Sequence, residues 1–212
     1  MRLFLIAALC VCAHGQSAPG TTVPASESKG LPPRASPDDY QAKAQAGAVT
    51  IAAEFMEHSV PTPNGVYSTE DYVVVETGLF GPPDARTKLS IGDFSLRIND
   101  KKAPQPSQPY EVVAHTLKDP EWAPPEEDKK SKTALNTGKA TDPPPPPVVH
   151  MPIALQLAME QHVKNAVLLE GDRALPQAGL LFFVFRSKAQ NIHSVELIYA
   201  GPAGKATITL QP

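Results

Sequence analysis

Cysteine is scarce in this chain: Cys10 and Cys12 are its only two, and both lie within the first dozen residues. From residue 13 onward there is none, so that part of the chain has no disulfide, no thiolate nucleophile and no zinc site built on cysteine. A folded domain must then be held by its apolar core. This is feasible, because a domain of ~120 residues buries about two thirds of the surface that its unfolded chain exposes.

Long apolar runs are confined to the first residues. Arg2 is followed by an apolar run of about 11 residues, too short for the roughly 20 that cross a bilayer as a helix. Ala13 and Gly15 place small residues at the −3 and −1 positions of a secretory cleavage site. We therefore predict a signal peptide over residues 1–15, cleaved near Gly15, and an exported chain, periplasmic or extracellular, without an integral membrane span.

The chain also lacks an excess of basic charge. Without Arg2, 18 basic side chains remain against 22 acidic ones, a net charge of −4. Proteins that bind nucleic acid through its phosphates usually carry a basic face. No nucleic-acid partner is predicted.

Proline, in contrast, is abundant and clustered: 24 of the 212 residues are proline, about twice the usual share of roughly 5%. Residues 16–40 are rich in serine, proline and alanine, a composition that buries too little surface to offset the entropy of ordering, and we predict a disordered tether. Residues 101–149 hold 11 prolines. We predict a largely disordered, proline-rich insertion there.

Two features of this insertion are candidate partner contacts. The first is the only tryptophan of the chain, which either packs against the domain or stays exposed as a contact residue, since exposed aromatic side chains mark interfaces. The second is a run of five prolines, which favours polyproline II and suits an aromatic-lined groove. A passive spacer is the alternative. The candidate residues are Trp122, Pro143, Pro144, Pro145, Pro146 and Pro147.

Alternation of apolar and polar residues predicts a β-sandwich domain over residues 48–212. The most apolar segment after the signal peptide, Leu180–Phe185, suits a strand that is buried on both faces. In the segment Leu89–Ile98 the apolar residues change parity at Gly92-Asp93, which indicates a bulge or bend. Further strands are predicted from the same alternation: these are Val49–Phe55, Tyr67–Phe80, Val195–Tyr199 and Ala206–Leu210, the last two joined as a hairpin by Gly201–Gly204.

One helix is predicted over residues 152–170. Apolar residues that include Met159 and Val163 recur at three- and four-residue spacing, which is typical of an amphipathic helix. Pro152 at the start and Gly171 past the end are the expected boundary residues. The fold class is thus mainly β: an antiparallel sandwich of six to seven strands with one amphipathic helix and a long proline-rich insertion.

The strand order resembles that of the telokin-like, immunoglobulin-like extracellular domains of bacterial exported proteins of unknown function. The segments that carry the resemblance are Tyr72–Glu76, Ile91–Leu96, Leu175–Pro176 before the strand Gly179–Phe185, and Val195–Tyr199 with Ile208. The resemblance implies an immunoglobulin-like sandwich with a non-catalytic role, and it carries over no functional residue. The proline-rich insertion and the helix depart from the family pattern.

No arrangement of residues predicts catalysis. The chain has no His-Glu-x-x-His motif for a metal and no Gly-x-Ser-x-Gly elbow for a nucleophile. Its histidines beyond the signal peptide are spread over separate elements; they are His58, His115, His150, His162 and His193. We predict no catalytic residue, no metal site and no cofactor.

The predicted function is that of an exported module of the cell envelope with a binding or structural role. An envelope protein is the expected kind of partner, and the insertion is the expected contact region because sandwiches carry function on their loops. The alternative is a carrier of a small ligand with a pocket between helix and sheet, lined by Met159, Val163 and phenylalanine residues. A hydrolase with a site assembled in space is a weaker alternative, and it needs a histidine and a carboxylate within hydrogen-bond reach.

Overall fold

The computed structural model of the protein describes residues 30–123 and 150–212. In these ranges the chain forms two α-helices, α1 (Tyr110–Val113) and α2 (Ile153–Lys164), and short 3-10 turns. The strands of the described residues are β1 (Ala42–Ala46), β2 (Val49–Phe55), β3 (Ser59–Thr62), β4 (Gly65–Thr69), β5 (Tyr72–Phe80), β6 (Arg86–Leu89), β7 (Phe94–Ile98), β8 (Gln105–Pro106), β9 (Leu117–Lys118), β10 (Gly171–Ala174), β11 (Gln177–Val184), β12 (Val195–Gly201) and β13 (Gly204–Leu210).

Two four-stranded sheets build the domain. The first has the order β1-β2-β5-β11 and the second the order β13-β12-β7-β8, and their neighbouring strands are antiparallel. A three-stranded sheet, β3-β4-β9, and a two-stranded sheet, β10-β6, complete the described part. The predicted antiparallel sandwich is confirmed, with eight strands in the two main sheets against the six to seven expected. The immunoglobulin-like assignment stays a prediction.

The first core lies between the two main sheets. Alternate residues of β5 and β11, Val73, Val75, Leu181 and Phe183, pack there against the apolar face of the second sheet. Tyr199 contributes from that sheet and is 1% exposed. Because side chains alternate along a strand, the intervening residues of β5 and β11 must be buried elsewhere.

A second core covers the outer face of the first sheet. Tyr72, Val74, Leu180 and Phe182 pack there against residues of α2, α1 and the small sheet β3-β4-β9. Strands β5 and β11 are thus buried on both faces, as the uninterrupted apolar sequence of residues 180–185 predicted. The candidate functional site lies on this second core.

The parity switch in residues 89–98 is a 3-10 turn. Strand β6 ends at Leu89, the turn spans Ile91–Asp93, and β7 begins at Phe94. The Ser90 hydroxyl accepts a hydrogen bond from the amide of Gly92 at 3.3 Å, which caps the turn. Leu89 and Phe94 therefore both reach the first core although they have opposite parity.

Helix α2 ends at Lys164, six residues earlier than predicted. Beyond it the backbone runs beside β11: the amide of Leu180 donates to the Ala166 carbonyl at 2.9 Å, and the amide of Leu168 donates to the Leu180 carbonyl at 3.2 Å. These bonds give partners to backbone N–H and C=O groups on the outer edge of β11. A helix that continued past Lys164 would leave those groups without partners. The apolar residues after Lys164 belong to this extended segment.

The described part of the chain also reaches into segments for which disorder was predicted. Residues 101–123 of the insertion contain β8, α1 and β9, with Val113 fully buried. Residues 30–40 of the tether lie on the second-core side, where Leu31 bridges to Ala178. Apolar side chains of both stretches, among them Val113 and Leu31, pack in the second core, and β8 adds to the edge of the second sheet. The predicted signal peptide, residues 16–29 and the run Pro143–Pro147 lie outside the described residues.

Candidate functional site

Helix α2 forms one wall of the candidate site. Pro152 is its N-cap residue, and Met159 and Val163, one turn apart, are its buried side chains in the second core. On the opposite face Ile153 and Leu157 are 75% and 59% exposed. The first two turns of α2 therefore carry apolar side chains that face solvent as well as those that pack in the second core.

A tyrosine–histidine pair fixes the helix to strand β4. The Tyr67 hydroxyl lies 2.7 Å from Nδ1 of His162, and the two rings are stacked at 6.2 Å between centroids. Burial raises the pKa of Tyr67, and the carboxylates of Asp119 and Glu121 act in the same direction. The phenol is therefore protonated at neutral pH, and its oxygen shares a hydrogen bond with the imidazole nitrogen. Sequence reasoning missed this contact because its two residues are far apart in the chain.

The other wall comes from the first part of the insertion. The Tyr110 hydroxyl of α1 donates to the backbone carbonyl of Glu160 on α2. Burial, followed by the nearby carboxylates of Glu160 and Glu111, raises the pKa of Tyr110 to about 12. Strand β9 then pairs with β4, with Leu117 opposite Thr69. This pairing holds the chain just before Trp122 next to the start of α2.

Between the two walls lies a groove of about 480 Å³. Its lining combines apolar side chains with polar and aromatic ones. We call it the Trp122 groove; it is lined by Leu117, Lys118, Asp119, Trp122, His150, Met151, Gln156 and Met159. Its volume lies within the roughly 300–1,000 Å³ that is usual for ligand sites.

Most charged and amide groups of the rim already have partners. Lys118 forms an ion pair with Glu70. One carboxylate oxygen of Asp119 accepts a hydrogen bond from the amide of Glu121 at 2.9 Å, and the Gln156 amide donates to Glu160 at 3.2 Å. The rings of Trp122 and His150, in contrast, make no hydrogen bond with another residue of the described ranges. The groove therefore offers apolar side chains and, among the described residues, an unpartnered indole N–H donor.

Trp122, the candidate contact residue, is half-buried in the wall of this groove. His150, at the other end of the segment 124–149, lines the same groove. The structure thus brings together two residues that are 28 positions apart in the sequence. The other candidates, Pro143 to Pro147, fall within that segment and so lie outside the described residues.

The described histidines lie in separate places. His58 contacts two backbone carbonyl oxygens and His162 contacts Tyr67. His150 shares the groove with Asp119 without a hydrogen bond between the two side chains. Over residues 30–123 and 150–212, no three side chains of the metal-binding types come close enough together to hold an ion.

The pocket expected for a ligand carrier takes a different form. Met159 and Val163 pack with Phe182 in the second core. Only Met159 of these three also lines the Trp122 groove, which opens beside the helix rather than between helix and sheet.

None of the helices in the described residues has the length and apolar character needed to span a membrane.

Comparison of the chain with models of protein families, with curated proteins and with solved structures finds no match.

Proposed function

We propose that this chain is an exported module of the cell envelope that binds a partner protein without catalysis. The observation that carries the proposal is the Trp122 groove, in which Trp122 and His150 stand at the two ends of the segment 124–149. The partner contact would combine this groove with the proline-rich segment 124–149, whose neighbours Trp122 and His150 line the groove. In this proposal the sandwich is the scaffold and the insertion is the recognition element.

The chemistry of the groove suits a short apolar stretch of polypeptide. Leu117, Met151 and Met159 supply apolar surface, and methionine adapts to irregular partners. The indole N–H of Trp122 has no hydrogen-bond partner among residues 30–123 and 150–212, and in this proposal it donates to a carbonyl oxygen of the partner. Tryptophan is also among the residues that most often dominate binding energy at interfaces.

Export and the non-catalytic role rest on the sequence. The first 15 residues have the organisation of a secretory signal, and an exported chain meets partners of the envelope. The resemblance to immunoglobulin-like extracellular domains supports the same assignment. We propose an immunoglobulin-like topology for the sandwich on this basis.

The test is in-cell crosslinking of the exported protein followed by mass spectrometry. The structure limits the replacement to residues 124–147, because Val113 and Leu117 earlier in the insertion are buried. We would compare the intact chain, a chain with residues 124–147 replaced by a Gly-Ser linker of equal length, and Trp122→Ala. Val66→Ala is the matched control, since Val66 is an apolar residue on β4 that is 56% exposed and is not among the groove's lining residues.

We expect the intact chain and Val66→Ala to crosslink to the same envelope protein and the other two forms to lose it. Truncation of a central tryptophan at an interface commonly costs about 2 kcal/mol or more, a loss of about 30-fold in affinity. If all four forms capture the same protein, the contact surface lies elsewhere on the sandwich. If none captures a protein, the binding role loses its support.

A second function is favoured by the volume of the groove, which also suits a small apolar ligand. Trp122 is the only tryptophan of the chain, so its fluorescence reports directly on this groove. A saturable change with an apolar small molecule, and none with a short apolar peptide, would favour the carrier. The opposite pattern would favour the partner-binding module.

A further inference from the structure

The Trp122 groove carries an excess of negative charge. Lys118 is the only lysine or arginine among its lining residues, and its ammonium group is already paired with Glu70. Asp119 also lines the groove, and Glu121 follows two positions later. Neither of these two carboxylates belongs to an ion pair within residues 30–123 and 150–212. The described lining therefore favours a ligand with a positive charge.

A tight turn holds the Asp119 carboxylate and the indole in the same groove. The amide of Trp122 donates to the Asp119 carbonyl at 3.2 Å, and the amide of Glu121 donates to a carboxylate oxygen of Asp119 at 2.9 Å. Aspartate and proline, here Asp119 and Pro120, are favoured at the first two positions of such a turn. A carboxylate has more lone pairs than this one hydrogen bond uses, so Asp119 keeps acceptor capacity for a ligand.

The negative charge also acts on strand β4. Burial raises the pKa of Tyr67, and the carboxylates of Asp119 and Glu121 raise it further. Both carboxylates therefore disfavour a second negative charge on this side of the groove, and by the same Coulomb interaction they favour a cation.

Arginine has the side chain that matches this lining. Its planar guanidinium stacks on aromatic rings, of which indole is the best, and it donates several N–H groups to a carboxylate. Its apolar stem suits a groove that Leu117 and Met159 also line. The same combination occurs within the fold, where Arg34 lies 4.5 Å from the centroid of the Tyr40 ring and donates to Glu76 at 2.8 and 3.1 Å.

We propose that, in the partner-binding function on which this inference rests, the Trp122 groove receives an arginine side chain from an apolar segment of the partner. The guanidinium stacks on Trp122 and pairs with Asp119, so charge complementarity selects the occupant. Apolar neighbours of the arginine pack on Ile153 and Leu157, which are 75% and 59% exposed on α2. Ile153 lies one helical turn before Gln156, a lining residue, so this apolar surface adjoins the groove.

The test is a titration of the full chain with two short peptides that have blocked ends, followed by the fluorescence of Trp122, the only tryptophan of the chain. The first peptide is Leu-Ala-Arg-Ala-Leu. The second carries citrulline in place of arginine, which keeps the shape of the side chain and removes its charge.

Two variants of matched chemistry complete the design. Asp119→Asn removes the carboxylate charge, while its amide oxygen can still accept the hydrogen bond from the Glu121 amide. Asp84→Asn is the control, because Asp84 is exposed, lies between β5 and β6 and is not among the lining residues of the groove. Its φ of 61° is one that asparagine adopts readily.

We expect the natural chain and Asp84→Asn to bind the arginine peptide about tenfold more tightly than the citrulline peptide, the ratio that one charge-assisted pair supplies. In Asp119→Asn this preference should disappear, and the affinity for the citrulline peptide should stay that of the natural chain. Replacement of residues 124–147 by the Gly-Ser linker should leave both affinities unchanged.

Equal affinity of the natural chain for the two peptides would overturn the arginine preference and leave the proposed partner-binding function intact. A preference that persists in Asp119→Asn would also overturn it, because the charge would then be recognised elsewhere. Tighter binding after the linker replacement would show that lysines of the chain's own segment occupy the groove, which excludes a partner's arginine. If neither peptide binds, this inference fails, and the crosslinking of the intact chain decides separately whether the proposed function fails with it.

Discussion

At the scale of single residues, Arg34 joins the N-terminal described segment to the first sheet. Its guanidinium donates to both carboxylate oxygens of Glu76, at 3.1 and 2.8 Å, and forms an ion pair with Glu54. Glu54 and Glu76 are directly opposite on β2 and β5, where two like charges would destabilise the strand pair. The guanidinium also lies 4.5 Å from the centroid of the Tyr40 ring. Arg34 is therefore the cation that allows two carboxylates to face each other.

We predict that Arg34→Gln lowers the free energy of unfolding by about 2 kcal/mol, because Glu76, which is 8% exposed, loses its bidentate partner and keeps a charge beside that of Glu54. Arg86→Gln is the control. Arg86 also contacts a carboxylate, that of Asp172, but both side chains are more than half exposed, so the cost should stay below about 1 kcal/mol. Urea unfolding of the two variants measures the difference. Equal losses would contradict a special role of Arg34.

At the scale of elements, the strands that could be predicted are those in which large apolar residues alternate or run without interruption. Strands β2, β5, β11, β12 and β13 have this pattern, and each overlaps the segment predicted for it. The single strand predicted over Tyr67–Phe80 is wrong in one respect, because this range divides into β4 and β5, which belong to different sheets. Strand β1 was missed because its residues Ala42, Ala44 and Ala46 present only methyl groups to the sandwich. Helix α2 was predicted too long because hydrogen bonds to β11, a distant part of the chain, decide where the helix ends.

The candidate site could be predicted only in part. Trp122 was predicted as a contact residue because it is the only tryptophan of the chain. In the structure it lines a groove. The other lining residues come from β9, the residues after it and the start of α2. These segments are not linked by any local periodicity, and contacts between distant parts of the chain bring them to one place: the pairing of β9 with β4, and the hydrogen bonds of Tyr67 and Tyr110 to α2. A groove between segments of this kind leaves no pattern in the sequence.

The segment after α2 also depends on one glycine, Gly179 in β11. A Cβ atom at this position would lie 2.3 Å from both Cα and the amide nitrogen of Leu168, and backbone atoms cannot rotate away as a side chain does. We predict that Gly179→Ala lowers stability by more than about 2 kcal/mol, because the segment 166–168 must move off β11. Gly92→Ala is the control, since its Cβ would meet only the Ser90 hydroxyl at 3.5 Å. Thermal unfolding compares the two, and similar melting temperatures would refute the close-packing argument.

At the scale of the whole molecule, one sheet carries two cores. Its strands β5 and β11 are covered by the second sheet on one side and by helices, the small sheet and the N-terminal described segment on the other. Without a cysteine after Cys12, this double burial takes the place of covalent crosslinks in holding the domain. It also withdraws tyrosine hydroxyls on both sides of the sheet from water. The ionisation of these tyrosines is therefore coupled to the integrity of the whole fold.

Alkaline unfolding tests this coupling. Burial raises the pKa values of Tyr40, Tyr67 and Tyr199, and it raises that of Tyr110 to about 12. Unfolded tyrosine loses its proton near pH 10, so the unfolded chain releases protons that the folded chain still holds. The stability that these hydroxyls contribute is complete below about pH 10 and is lost as the pH rises toward about 12. We expect the urea midpoint to fall steeply over this interval and less steeply in Tyr110→Phe. Tyrosinate absorbance should then appear together with the loss of structure seen by circular dichroism, whereas ionisation of these tyrosines near pH 10 in a chain that remains folded would show that their hydroxyls are in contact with solvent.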